Sequence, residues 1–501
     1  MNNPLDELKK RLAEISDLTA ASAVLSWDQM TLMPSGGAAA RARQLATMQR
    51  LAHEKAIDPE IGRLLEALQP LADTLPQDSD DASLIRVATR DYERESKIPP
   101  SFTAEFSEHA SHTYEKWAQA RSEHNFKIVE PFLAKTLDYS RQRANFYPGY
   151  EHIADPLIDA MDEGLKVSVI RPLFDELRQE LIPLVQRITS LPPADDSCLK
   201  QQFSEAEQLQ FGLGVAKALG YDFERGREDK SPHPFTTSFS IQDVRITTRV
   251  KENELNEALF STIHETGHAL YEQGINPELE ATPLAAGTAM GIHESQSRLW
   301  ENLVGRSRQF WEHFFPELQK VFPEQLGKVS LDTFYRAINK VQRSLIRTDA
   351  DEVTYNLHVM IRFDLELSML EGKLAVADLP EAWNERYRQD LGITPPDDSR
   401  GVLQDMHWYS GTIGGYFQSY TIGNVLSAQF FEAALAAHPE IPGEIAAGRF
   451  ETLHQWLTKN IYQYGRELQG MEIVRRVTGK PMTIVPYIRY LKKKYGELYR
   501  L

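Results

Sequence analysis

The chain has 501 residues, with 55 Lys+Arg against 72 Asp+Glu, a formal net charge of −17 and an isoelectric point near 5.4. An acid excess of that size argues against a surface built to neutralise phosphates, since nucleic-acid binders cluster Lys and Arg and no such cluster stands in the sequence. With 42% hydrophobic and 25% charged residues the composition is that of an ordinary globular protein, and no run approaches the roughly 18 apolar residues of a membrane span.

The N-terminus, Met1 to Glu7, is polar and acidic where a secretory signal would be basic and then apolar. From Leu5 to Leu18 the residues Leu5, Leu8, Leu12, Ile15 and Leu18 recur at spacings of three and four, which predicts an amphipathic helix. The same period predicts helices over Val169–Ile188, Phe334–Ile346, Val353–Leu370 and Phe430–Ala436, separated by Pro-containing breaks. Cys198, the one cysteine, falls in such a break. It excludes an intrachain disulfide, fits a reducing compartment and has no basic partner to activate it, so an inert thiol is expected. Lys492-Lys493-Lys494 is too short for a nucleic-acid patch and is read as a solvated helix face. These features predict a cytoplasmic protein with neither nucleic-acid nor membrane partners.

One segment departs from the helical period. In Asp243 to Val250 the apolar-side residues Val244, Ile246, Thr248 and Val250 alternate with Asp243, Arg245, Thr247 and Arg249, the period of a half-buried strand. Thr236 to Phe239 is a second extended candidate, so a small sheet is expected, with an edge able to take an extended peptide as another strand.

A helix carrying His264-Glu265-Thr266-Gly267-His268 follows, with Asn253 or Asn256 as its cap, Gly274 in a left-handed position past its end and Pro277 blocking continuation. Two histidines four apart share one helix face, where they can take two corners of a tetrahedral zinc site. Glu265 stands beside them, placed to accept a proton from a metal-bound water. Gly267 costs about 1 kcal/mol relative to alanine inside a helix, which predicts close approach by another element. A third ligand is needed. The metzincin spacing fails, because Tyr271 and Gly274 stand at its glycine and histidine offsets. In Gly291 to Glu301, Glu294 shares a polar face with Ser297, Arg298 and Glu301 and is the natural choice, with its neighbour His293 as competitor. Two His and one Glu leave a fourth position for water, the pattern of a hydrolytic site.

These residues resemble the Taq carboxypeptidase (M32) family of metallopeptidases over almost the whole chain. The resemblance is carried, in order, by His233-Pro234-Phe235, Asp243 to Thr247, His264 to His268, His293 to Ser297, Ile346 to Asp351 and Gly401 to Trp408. It implies a mainly α, helical zincin-type (gluzincin) fold with a deep groove and a small β-sheet beside the active site. One catalytic domain would span 1–501, with a helical region to about 190, a metal-site region of about 230–425 and a helical C-terminal region. It also implies a homodimer, one Zn2+ per subunit with Co2+ exchangeable, and removal of single residues from peptides with free C-termini at broad specificity.

A carboxypeptidase must fix an α-carboxylate, and the planar fork of arginine suits that anion. Within the resemblance Arg347 is the expected anchor, read as lying in an acidic helix with Asp349, Asp351 and Glu352, where a salt bridge to one of those acids is the plain alternative; Arg245 is second. His233, Asp243, Gln404 and Asp405 are expected among the substrate contacts. His407 and the tyrosines Tyr416 and Tyr420 are candidate oxyanion donors, with Tyr420 favoured by analogy to related zincins and Tyr416 alternatively a buried structural tyrosine. The remaining readings are an oligoendopeptidase of the same superfamily and a non-catalytic helical peptide-binding protein, against which Glu265 speaks.

Overall fold

The computed structural model describes residues 3–76 and 79–501; Met1 and Asn2, the start of the polar N-terminal segment, lie outside the described residues. The protein is mainly α-helical with one three-stranded sheet. Its chain forms two compact units that interleave in sequence, one made of the residues up to Ser96, Asp195–Ile338 and Ser427–Met482, the other of Lys97–Ala194, Asn339–Leu426 and Thr483–Leu501. The expected metal-site region, 230–425, is thus divided between them. No helix among the described residues is long and apolar enough to cross a membrane.

In the first unit the N-terminal helix runs Pro4–Thr31, well past Leu18. The Asn3 side chain accepts the Leu5 N–H, and Leu5 and Leu8 are buried in a cluster with Ile61, Leu65, Leu84 and Ile85. The sheet contains β1 (Glu228–Lys230), β2 (Thr236–Ser240) and β3 (Asp243–Thr248), in the order β1-β3-β2. β1 pairs parallel with β3 through Glu228 and Ile246, and β2 pairs antiparallel through Thr236 and Ile246. Val244, Ile246 and Thr248 are buried as the alternation predicts, but so is Thr247, whose hydroxyl oxygen accepts the Phe235 N–H at 2.9 Å. Pairing ends at Thr248, before Arg249 and Val250.

The HExxH helix spans Leu255–Gln273, about five turns, and is buried along most of its length. Its ends differ from expectation. Glu254 occupies the N-cap without a side-chain bond, so neither Asn253 nor Asn256 caps it, and Gly274 has φ −87°, an ordinary right-handed value. Glycine is required at 274 for space instead, since a Cβ there would lie 2.8 Å from the Tyr462 side chain. Gly267 behaves as its cost implied: a Cβ would stand 2.6 Å from the Ser297 Cα, so the Met290–Arg298 helix packs directly on this glycine. That helix continues into a π-helical turn, Leu299–Gly305, which widens the backbone and carries Glu301.

In the second unit the Val167–Thr189 helix buries Ile170, Phe174, Leu177, Leu181, Leu184 and Ile188 on one stripe. The helix expected over Phe334–Ile346 ends at Ile338, where the chain passes from one unit into the other. Beyond it the Val341 and Gln342 N–H groups go to the Tyr499 hydroxyl and the Asp351 carboxylate rather than to a helical ladder. Arg347 consequently sits in a single 3-10 turn, Arg347–Asp349, and not inside an acidic helix. The Tyr355–Leu370 helix follows, and Phe430–Ala436 falls within a longer helix, Gln418–Ala437. The lysine run is only partly solvated, for Lys494 is buried against Glu352 at 2.8 Å, while Lys492 is exposed and pairs with Glu180. Cys198 is buried, and burial together with the nearby Asp195 pushes its thiol up to about 11, far from a reactive thiolate.

Candidate active site

One group of possible metal donors stands out among the described residues. His264, His268 and Glu294 each offer an atom, and those atoms lie within 4.8 Å of one another. The Nε2 atoms of His264 and His268 lie 3.6 and 3.3 Å from Glu294 Oε2. Tetrahedral zinc with bonds of about 2.0–2.1 Å has donor–donor edges of about 3.3–3.4 Å, so the arrangement fits such a cation. Spacing on one helix supplies the two imidazoles, and the Gly267 contact brings Glu294 against them.

The other ring nitrogens face away from the three-donor cluster. His264 Nδ1 lies 2.9 Å from Glu301 Oε2, and His268 Nδ1 lies 2.6 Å from His293 Nδ1. His293 Nε2 is in turn 2.7 Å from Glu272 Oε1, so both nitrogens of the competitor residue are engaged away from the cluster. Glu294 Oε1 accepts from Arg298 Nε at 2.7 Å and its Oε2 accepts from the Ser297 hydroxyl at 3.0 Å. Arg298 also donates to Glu301 at 3.1 Å, and Arg306 reaches the second Glu301 oxygen at 3.2 Å.

Burial alone would neutralise Glu294, but the Arg298 guanidinium and the two imidazoles outweigh it and hold the carboxyl well below its usual range. Glu301 is held down in the same way, against burial, by Arg298, His264 and Arg306. Glu265 behaves oppositely: burial raises its pKa, and His264 and the Thr236 hydroxyl only partly offset this. The Thr236 hydroxyl, on β2, lies 2.6 Å from Glu265 Oε2 and 3.0 Å from its backbone carbonyl. The small sheet therefore stands beside the site, as expected. Burial lowers His268 to about 3, which keeps its ring neutral and fit to ligate.

A second cluster, within the other unit, gathers the downstream residues. Arg347 is buried and forks onto Asp405, Nε to Oδ2 and Nη2 to Oδ1, each at 2.9 Å, while Nη1 donates to the Tyr355 hydroxyl. The expected salt bridge exists, but its acid is Asp405 rather than Asp349, Asp351 or Glu352. Arg362, also buried, reaches the same Asp405 at 2.8 Å, and the two guanidiniums together hold that carboxyl far below its ordinary value against burial. Asp405 is their single carboxylate partner among the described residues, so the cluster carries one excess positive charge. Gln404 braces it, its oxygen accepting from Arg347 N and Arg362 Nη2 and its amide donating to the Leu345 carbonyl.

His407 Nε2 lies 3.4 Å from the Tyr420 hydroxyl, with the ring between Tyr416 and Phe417. Gly414 and Gly415, at φ 92° and 89°, make the turn into these aromatics, and a Cβ on Gly415 would meet the Leu157 carbonyl at 2.4 Å. Tyr416 is exposed, which removes the reading of it as a buried structural residue. The Arg347 guanidinium is 5.3 Å from the Tyr420 ring centre. In the first unit, Asp243 forks onto Arg245 at 2.7–2.8 Å, and the Arg245 guanidinium lies over Trp27 and Phe239. His233 is exposed, and its carbonyl accepts the Ser231 hydroxyl.

Arg362 escaped the sequence reading, although an arginine placed between the apolar Val359-Met360-Ile361 and Phe363 is a visible signal. Glu366, one turn on, is another buried ionisable group, and it accepts from Trp408 Nε1 at 2.6 Å and from the Gly414 N–H. Burial pushes it up to about 7. The native state then keeps a proton that an unfolded glutamate releases near 4.5. Its contribution to stability is therefore complete below that pH and is lost as pH rises through about 7. The expected result is that Glu366→Gln, which retains an acceptor for Trp408, gains on the wild type by up to about 3 kcal/mol between pH 5 and 8. Denaturant melts across that range check it, and parallel stability curves would refute the assignment.

Two imidazoles and a carboxylate converging beside a buried glutamate, on an HExxH helix in a mainly α-helical protein, define a metallopeptidase. A family model described as Carboxypeptidase Taq (M32) metallopeptidase matches residues 7–495. Thermostable carboxypeptidase 1 of Thermus thermophilus is 41% identical over 498 residues, covering 97% of each chain. Carboxypeptidase 1 of Bacillus subtilis is 36% identical, covering 98% of this chain and 97% of that one. The crystal structure of the M32 carboxypeptidase from Deinococcus radiodurans superposes with a TM-score of 0.97 at 47% identity, covering 99% of this chain and 100% of that one. The chain belongs to the Taq carboxypeptidase (M32) family of metallopeptidases.

Proposed function

We propose that the protein is a zinc-dependent carboxypeptidase that removes single residues from the free C-termini of peptides with broad specificity. The observation that carries the reading is the convergence of His264 Nε2, His268 Nε2 and Glu294 Oε2, with Glu265 beside them. Those three residues would hold the cation, with Co2+ as an exchangeable substitute. When bound, the cation supplies Lewis acidity toward the scissile carbonyl and the attacking water. Glu265 takes that water's proton and passes it to the leaving amine. The Thr236 hydroxyl, 2.6 Å from Oε2, fixes the carboxylate for both halves of the task.

Arg347 is assigned to the substrate α-carboxylate. Its fork is already on Asp405, but two buried guanidiniums share that one carboxylate, and a second anion would balance the excess charge. Gln404 and Asp405 act by holding Arg347 in place. Tyr420, with His407 against its hydroxyl, is assigned to the tetrahedral oxyanion. A homodimeric, cytoplasmic enzyme acting on free-ended peptides completes the proposal. On the second reading, an oligoendopeptidase with no carboxylate anchor, the forks of Arg347 on Asp405 and of Arg245 on Asp243 would be purely structural.

Metal stoichiometry after dialysis tests the centre. The wild type should retain one zinc per chain, and Glu294→Ala should lose it to a greater extent than His293→Ala, because only a coordinating side chain removes a bond to the ion. Emptying by His293→Ala with retention by Glu294→Ala would show the third ligand to be wrong.

A further inference from the structure

The two imidazoles of the HExxH helix are held in unlike ways. Glu301 meets His264 Nδ1 directly, at 2.9 Å. His268 Nδ1 meets another imidazole instead, His293 Nδ1 at 2.6 Å, and a carboxylate appears only beyond it, Glu272 Oε1 at 2.7 Å from His293 Nε2. Once His268 Nε2 is committed to a cation, the proton positions along this chain have one solution. His268 carries its proton on Nδ1 and donates it to His293 Nδ1. The His293 proton then sits on Nε2 and is donated to Glu272.

The surroundings are built for that arrangement. Glu272 is buried, and its Oε1 also accepts the Gly287 N–H at 3.0 Å, which fixes the carboxylate from a second side. Gly287 leaves room for the ring, since a Cβ there would stand 2.4 Å from His293 Cδ2. Tyr271 flanks the ring with its centroid at 5.1 Å, and the Tyr271 hydroxyl accepts the Thr288 N–H at 3.2 Å, tying down the segment that carries Gly287.

We propose that His293 and Glu272 are positioning residues that hold His268 in its Nδ1–H tautomer and aim its Nε2 at the metal. A Glu–His–His relay thus does for His268 what a single carboxylate does for His264. This rests on the metal-centre reading above, and neither residue touches the reacting atoms. Without an acceptor at His293 Nδ1, the His268 ring is free to turn or to take the other tautomer, which cannot ligate through Nε2. Partners of this kind typically govern metal affinity by about 10–100-fold.

The test is the rate at which zinc-loaded full-length protein releases zinc to a chromogenic chelator, in the wild type, His268→Ala, His293→Leu, His293→Asn and Glu272→Gln. His293→Leu fills the space without an acceptor and should release zinc about 10–100-fold faster. His293→Asn, whose amide oxygen can take the Nδ1 position, should recover most of the wild-type rate. Glu272→Gln keeps an oxygen for His293 Nε2–H but loses the charge, and should be several-fold faster. Release from His293→Leu at the wild-type rate, or equal acceleration in the Leu and Asn variants, would overturn the relay. If His293→Leu also lowers the melting temperature of the metal-free protein, the isosteric Glu272→Gln decides, and a wild-type rate from it overturns the relay. Failure of the underlying reading gives a different result, namely that His268→Ala holds zinc as tightly as the wild type.

Discussion

Glu265→Gln is expected to retain its metal and to lose peptidase activity by about a thousandfold or more. The amide keeps the shape of the side chain and an oxygen for the Thr236 hydroxyl, now at 2.6 Å from Oε2. What it loses is the capacity to take a proton. The carboxylate it replaces is buried beside the three metal donors, where it can accept the water's proton and an amide cannot. Metal analysis and kcat/KM on the same preparation check the two halves together. Near-wild-type turnover in a metal-replete Gln variant would transfer the base to another residue, whereas loss of both metal and activity would make Glu265 a structural member of the site.

Arg347→Ala should cost about 2–5 kcal/mol of transition-state binding for a peptide with a free C-terminus, read as kcat/KM. The comparison that gives this meaning is a C-terminally amidated peptide, which offers no charge to the guanidinium. The wild type should cleave it poorly, and the variant should lose little more on it. The structure makes the control necessary, because Arg347 is also a brace: it forks onto Asp405 at 2.9 Å and donates to Tyr355. Equal losses on both peptides would mean that the brace is its whole role, and the anchor would then be sought at Arg245 or elsewhere.

The parts of the fold that could be read ahead are those written in local spacing. The four-residue spacing of His264 and His268 set one helix face, and alternation from Asp243 to Val250 pointed to a strand, which the structure ends at Thr248. The cost of Gly267 implied the close packing that Ser297 supplies. β1 escaped because Glu228-Asp229-Lys230 is three polar residues with no alternation to detect. The Phe334–Ile346 pattern continues past Ile338, but the chain leaves one unit there for the other, and tertiary partners take its N–H groups.

Ion-pair partners were the least legible feature. For Arg347 the acids near in sequence were the natural guess, and the fold delivers Asp405, 58 residues away. Likewise His293 looks like a ligand from its place beside Glu294, and only the folded geometry turns it toward His268 and Glu272. Glu301 was visible on the correct helix face, but it lies in a π-helical turn and its partner His264 is 37 residues away, neither of which local spacing indicates.

The most direct test of the account is the mass spectrum of products from one free-ended peptide of mixed sequence, incubated with the zinc-loaded wild type. The expected result is a ladder of fragments sharing the original N-terminus and shortened one residue at a time from the other end, abolished by a chelator and restored by added zinc. Fragments from internal cleavage, or a ladder that persists without metal, would contradict it.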